Sequence, residues 1–136
     1  MTGNVSCPCG CGKTVSIGVQ TILDSAERWI RQQVDPNYSI YVTSGGRCEA
    51  HNASVGGSPN SAHTLGLAAD ISTPTSRIRY ALIYHLLVNC HIKRFDMRTD
   101  VKNPLNRFVH MDIATGPVPH PTDDLKEYPQ EVIVDW

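Results

Sequence analysis

The sequence predicts an α+β fold: a small, mostly antiparallel sheet with two main helices packed on it. Three observations predict it. One amphipathic run of helical period lies near the N-terminus, and a second lies in the middle of the chain. Around them sit short runs rich in β-branched and aromatic residues, bounded by glycine, proline and asparagine. At 136 residues the chain suits one domain and is short for two separate cores. A single domain over 1–136 is expected, with 1–15 as a cysteine-rich N-terminal clasp.

Between Gly18 and Val34, apolar residues recur at Val19, Ile22, Leu23, Ala26, Ile30 and Val34. That spacing predicts a helix with one buried face, which Asp35-Pro36 ends. "SIYVTSGG" then alternates Ile40 and Val42 with Tyr41 and Thr43, as a half-buried strand does, until Gly45-Gly46 stops it. The segment "RCEAHNASVGGSPN" is rich in Gly, Ser and Asn and reads as a long ordered loop, a feature often tied to function. "GLAADIS" predicts a second, buried strand. A helix is expected to begin at Thr73-Pro74, with proline in its first turn, and to bury Ile78, Leu82 and Leu86. Strands are expected at "IKRFDM", "RFVHMDI" and "EVIVDW".

Twelve basic and thirteen acidic residues nearly cancel, with no run of one sign. Such a balance argues against a nucleic-acid partner, which would call for a basic face. No apolar run reaches membrane-spanning length, and "MTGNVSCPCG" lacks the charged start and hydrophobic stretch of a signal peptide. The five cysteines, Cys7, Cys9, Cys11, Cys48 and Cys90, are an odd number, so at least one thiol stays unpaired in a monomer. Three of them crowd into "CPCGCG". A structural metal, a disulfide clasp and free thiols all remain open for this segment, because its C-x-C-x-C spacing differs from the C-x-x-C of zinc knuckles. Cys48 is expected close to one of the three, in a disulfide or in a metal site shared by Cys7, Cys9, Cys11 and Cys48.

"SAHTLGLAAD" sets His63 and Asp70 seven residues apart around small and apolar residues. A buried carboxylate costs several kcal/mol, roughly, unless it is paired or metal-bound. In "RFVHMDI" the period of two puts Phe108, His110 and Asp112 on one strand face and Val109 and Met111 on the other. Two imidazoles and a carboxylate, His63, Asp70 and His110, would fill three corners of a zinc tetrahedron. The fourth would stay open for a water whose pKa falls towards ~7. Single histidines are more often surface or satisfied core residues, and His85, His91 and His120 keep that reading; His51, in the loop near Arg47, is intermediate.

These residues resemble a known family. "SAHTLGLAAD" fits S-x-H-x-x-G-x-A-x-D, the signature of the zinc D-alanyl-D-alanine carboxypeptidases and related peptidoglycan endopeptidases. "VTSGGRCEAHN" resembles the family's S-G-x-R element, and "RFVHMDI" its second histidine strand, in the same order along the chain. "CPCGCG" followed by a helix resembles the start of short, phage-type members. The resemblance implies a hedgehog/D,D-peptidase-like fold with the zinc site on the sheet and an adjoining loop. It makes His63, Asp70 and His110 the zinc ligands and Arg47 the catalytic arginine that holds the substrate's carboxylate or carbonyl. It places Ser61 in a hydrogen bond near metal or substrate, with Gly66 allowing the bend that brings His63 and Asp70 to one ion. One departure stands out. Larger members carry an acid three residues before the last histidine, where this chain has Arg107, which cannot accept a proton. Asp112 is then the expected general base, with orientation of His110 as its other reading; Asp96 and Asp100 are further candidates.

The expected activity is zinc-dependent hydrolysis of a peptide bond in stem peptides or cross-links, by a monomer synthesised in the cytoplasm and released by lysis or carried in a virion. The alternative is a non-catalytic zinc domain that binds the wall or builds a virion.

Overall fold

Alternation of period two gives three neighbouring strands two unlike faces, and this organises the whole structure. The structure, a computed structural model, describes residues 1–99, 103, 106–115 and 130–134. Along the chain come β1 (Thr2–Gly3), α1 (Ile17–Gln33), β2 (Tyr41–Ser44), α2 (Glu49–Ser54) and β3 (Ala68–Ser72). They are followed by α3 (Ser76–Tyr84), β4 (Arg94–Thr99), β5 (Arg107–Asp112) and β6 (Gln130–Val134). The sheet runs β1-β2-β3-β5-β4-β6, and every pairing is antiparallel except the parallel β1–β2 edge. The expected α+β architecture is thus present, with a short parallel edge that the sequence did not announce.

The core lies between one sheet face and the two main helices. α1 buries Val19, Leu23, Ala26 and Ile30, the stripe that its period predicts, and Ser16 caps it by accepting the Val19 N–H at 3.2 Å. Ile78 and Leu82 of α3 and Leu86 just beyond it join them, against Ala69, Ile71, Phe95, Met97, Val109 and Met111 of the strands. α3 begins later than expected. Its cap is Thr75, whose hydroxyl accepts the Ile78 N–H at 3.2 Å, so Pro74 lies ahead of the helix. One turn of π-helix, His85–Asn89, continues it.

The segment read as a long loop contains α2. Its cap is Cys48, whose sulfur accepts the His51 N–H at 3.4 Å. Cysteine is outside the usual set of capping residues, and six residues are too few to show a helical period, so neither signal was visible. No helix among the described residues is long and apolar enough to cross a membrane.

Candidate metal centre and cleft

The register of β3, β5 and β4 lays the chemistry out in rows across the face turned away from the helices. Asp70 pairs with His110, and His110 with Asp96. The row on one side is Ala68, Asp112 and Arg94; the row on the other is Ser72, Phe108 and Arg98. His63 reaches the middle row from the turn before β3. That turn needs Gly66: its φ is +72°, and a Cβ there would lie 2.9 Å from the Thr14 carbonyl oxygen.

The turn is locked onto the end of β2. Arg47 N–H donates to the His63 carbonyl at 3.1 Å, and the His63 ring lies with Nδ1 2.8 Å from the Gly45 carbonyl oxygen. A carbonyl can only accept, so Nδ1 carries the proton and Nε2 presents a bare lone pair. Nε2 faces Asp70 Oδ1 at 3.3 Å, and His110 Nδ1 meets the same oxygen at 2.8 Å. One ligand atom from each of His63, Asp70 and His110 fits within 4.8 Å of the others.

Burial lowers the His63 pKa, against the pull of Asp70. Burial would raise the Asp70 carboxyl, but the two imidazoles overcome it and hold the group well below the usual carboxylate range. His110 is the opposite case. Burial disfavours its cation, yet hydrogen bonds to Asp112 and Asp70 raise it to about 9 in the metal-free protein.

The donor set fits zinc. Each imidazole is held by an acceptor at one nitrogen and directs the other toward the Asp70 carboxylate, the arrangement in which an outer acceptor fixes a metal-binding histidine. For His110 the outer acceptor is Asp112, with Oδ2 3.0 Å from Nε2. Asp112 Oδ1 accepts from Arg94 Nε at 2.6 Å and from the Ala114 N–H at 3.1 Å. The two nitrogens of an imidazole point to opposite sides of the ring, so Asp112 and Asp70 flank His110. Asp112 borders a separate pocket with Arg94 and Ala114. The Asp112 carboxylate thus meets the Nε2 side of the ring, and Asp70 the Nδ1 side.

A cleft of about 400 Å³ opens beside Asp70. Arg47, His51 and Arg98 line it, with Asn4, Pro8 and Phe108 among the other walls. Arg47 therefore shares a cleft with Asp70. Ser61 does not line the cleft: it is 2 % exposed, and its hydroxyl accepts the His63 N–H at 3.3 Å, so it shapes the turn. Arg107 points elsewhere, its guanidinium donating to Ser76 Oγ at 3.3 Å. Asp96 is fully buried beside His110, and both its oxygens accept from Arg98 Nε, at 2.8 and 3.0 Å. Burial raises its pKa despite that arginine. Asp100 and His120 lie outside the described residues, whereas His85 and His91 do not line the cleft.

Arg94 and Arg98 were not singled out from sequence. Alternation along "IKRFDM", continued by one residue to Arg98, carried the signal, since it puts Arg94, Asp96 and Arg98 on the face opposite Phe95 and Met97.

No curated protein and no solved structure matches the chain. The family model described as Peptidase M15 matches residues 5–112, a span holding His63, Asp70, His110, Arg47 and all four clustered cysteines. The chain belongs to the peptidase M15 family, metallopeptidases that depend on zinc and act on peptidoglycan.

Proposed function

We propose that this chain hydrolyses a peptide bond in peptidoglycan stem peptides or cross-links, with His63, Asp70 and His110 as the zinc ligands. The observation that carries this reading is the convergence of the His63 and His110 imidazoles on the Asp70 carboxylate, at the side of a cleft that also holds Arg47. Zinc bound there would supply a Lewis acid for the scissile carbonyl and lower the pKa of a water towards ~7.

The remaining roles belong to the chain. Asp112 accepts the His110 Nε2 proton, so that Nδ1 is the nitrogen that would give up its proton and hold the metal; Arg94 fixes that carboxylate. Gly45 does the same for His63 through Nδ1. Arg47 offers a planar fork of donors that suits a substrate carboxylate or a peptide carbonyl better than a lysine would. His51 and Arg98 add positive or hydrogen-bonding groups along the same wall. Stem peptides carry free carboxylates, and this wall is complementary to them. Release by lysis or carriage in a virion, as for an endolysin, suits an enzyme whose substrate lies outside the cell.

One observation favours the non-catalytic reading. Among the described residues that line the cleft, Asp70 is the sole carboxylate, so none beside the ligands is placed there as a proton acceptor. Digestion of purified peptidoglycan separates the two. A peptidase releases new amino groups, and these disappear with a chelator and return with zinc. A wall-binding module sediments with the wall and releases none. The released products also identify the bond: free alanine marks a carboxypeptidase, and shortened cross-links an endopeptidase.

A further inference from the structure

Four sulfurs converge at the N-terminal end of the cleft wall. Cys7 Sγ lies 3.3 Å from Cys9 Sγ and 3.9 Å from Cys48 Sγ, and Cys9 and Cys48 are 3.5 Å apart. Cys11 completes the group, with all four sulfurs inside 4.8 Å. Around a tetrahedral zinc with bonds of ~2.3 Å, neighbouring sulfurs sit about 3.8 Å apart. All are free thiols, and a disulfide would engage only two of the four.

The backbone is arranged for sulfur ligation. The Lys13 N–H points to Cys11 Sγ at 3.5 Å and the His51 N–H to Cys48 Sγ at 3.4 Å. Gly10 and Gly12 adopt φ of +81° and +87°, which lets alternate residues of Cys7–Cys11 turn their side chains to one point. Backbone bonds close its base, Cys7 N–H to the Lys13 carbonyl at 2.7 Å and Gly10 N–H to the Cys7 carbonyl at 3.2 Å, but no buried side chain holds its tip. Residues 8–12 are all exposed, and a closed exposed turn needs a compensating interaction to offset its lost entropy.

From this geometry we infer a second, structural metal site, in which Cys7, Cys9, Cys11 and Cys48 bind one zinc ion as thiolates. Four thiolates with no open position make a closed site, without the vacancy that catalysis requires. The ion would tie the N-terminal clasp to the cleft, because Pro8 and Arg47 both line the cleft and both adjoin a cysteine ligand. This consequence for substrate rests on the proposed peptidase function; the metal site itself does not.

The test is cobalt titration of the reduced, metal-free full chain. The wild type should bind two ions per chain and develop the near-ultraviolet charge-transfer band of thiolate-bound cobalt. His63→Ala should retain one ion and the band, whereas Cys9→Ser should lose the band. One ion and no thiolate band in the wild type would overturn the site, and so would a disulfide among the four cysteines in protein purified without reductant. If Cys9→Ser does not fold, the wild-type stoichiometry and band decide alone. With the fold intact, Cys9→Ser should raise KM for a stem peptide about tenfold, as expected for loss of ~1.4 kcal/mol in substrate positioning; an unchanged KM would overturn the link to the cleft. A chain with the band but no wall hydrolysis keeps this site and loses the peptidase reading. Hydrolysis with one ion and no band gives the reverse.

Discussion

Along β3, β5 and β4, alternate residues enter two different environments, and both are buried. On one face Ala69, Ile71, Phe95, Met97, Val109 and Met111 pack under the helices. On the other, Asp96, Asp112 and His110 are 0 %, 2 % and 7 % exposed. Alternation of apolar and polar residues ordinarily marks a strand with one wet face. Here the polar face is covered too, so each of its charges needs a partner. Asp96 has Arg98, Asp112 has Arg94 and His110, and Asp70 has both histidines. The apolar face is built for stability, and the polar face spends burial on holding imidazoles in one orientation.

The two faces should therefore fail differently. His110→Ala should remove the metal at the centre and reduce hydrolysis to background, with the chain still folded; metal analysis and circular dichroism on one sample check both. Phe95→Ala, one strand away on the other face, should cost about 3–5 kcal/mol in stability by opening a cavity. Its remaining folded fraction should keep zinc and turnover, read by denaturant titration beside activity.

Asp112→Asn examines the polar face alone. As an orienting partner, Asp112 should cost about ten- to a hundred-fold in zinc affinity when replaced. At saturating zinc, turnover should fall by less than about the hundredfold minimum expected for a lost general base. Arg47→Lys should raise KM about tenfold or more while leaving zinc bound, since a point charge replaces a bidentate fork.

The smallest effect lies on the helix side. Burial would raise the Glu27 carboxyl, but its Oε2 accepts the Ile40 N–H at 2.9 Å and Arg31 lies 3.6 Å from its other oxygen, and its pKa is lowered. A lowered folded-state pKa stabilises above the unfolded value of ~4.3 and loses that stability as pH falls through the folded value. Glu27→Gln should thus lower stability at neutral pH by about 1 kcal/mol, with the difference vanishing in acid; urea titrations at both pH values measure it.

Much of this was legible because it depended on period. The stripe on α1 and the division of β5 into His110 and Val109 faces follow from spacing alone. The gathering of His63, Asp70 and His110 was legible through a motif rather than through period. What escaped was set by pairing between distant segments. Nothing local in "RFVHMDI" tells which side of the His110 ring Asp112 takes; Arg94, from a neighbouring strand, helps to decide it. Ser61 was expected in a hydrogen bond near metal or substrate, and the partner it takes, the amide of His63, follows from the turn and not from any local pattern. The β1 edge rests on Gly3, whose φ of +90° and close approach to the Val42 carbonyl leave no room for a side chain. A two-residue strand has no period to read.

The central claim, a zinc peptidase centred on His63, Asp70 and His110, is tested most directly by release of amino groups from purified peptidoglycan. The zinc-loaded wild type should release them, the chelated protein should not, and added zinc should restore release in the wild type but not in His63→Ala. Release that persists after complete metal removal, or that His63→Ala sustains at the wild-type rate, would contradict the account.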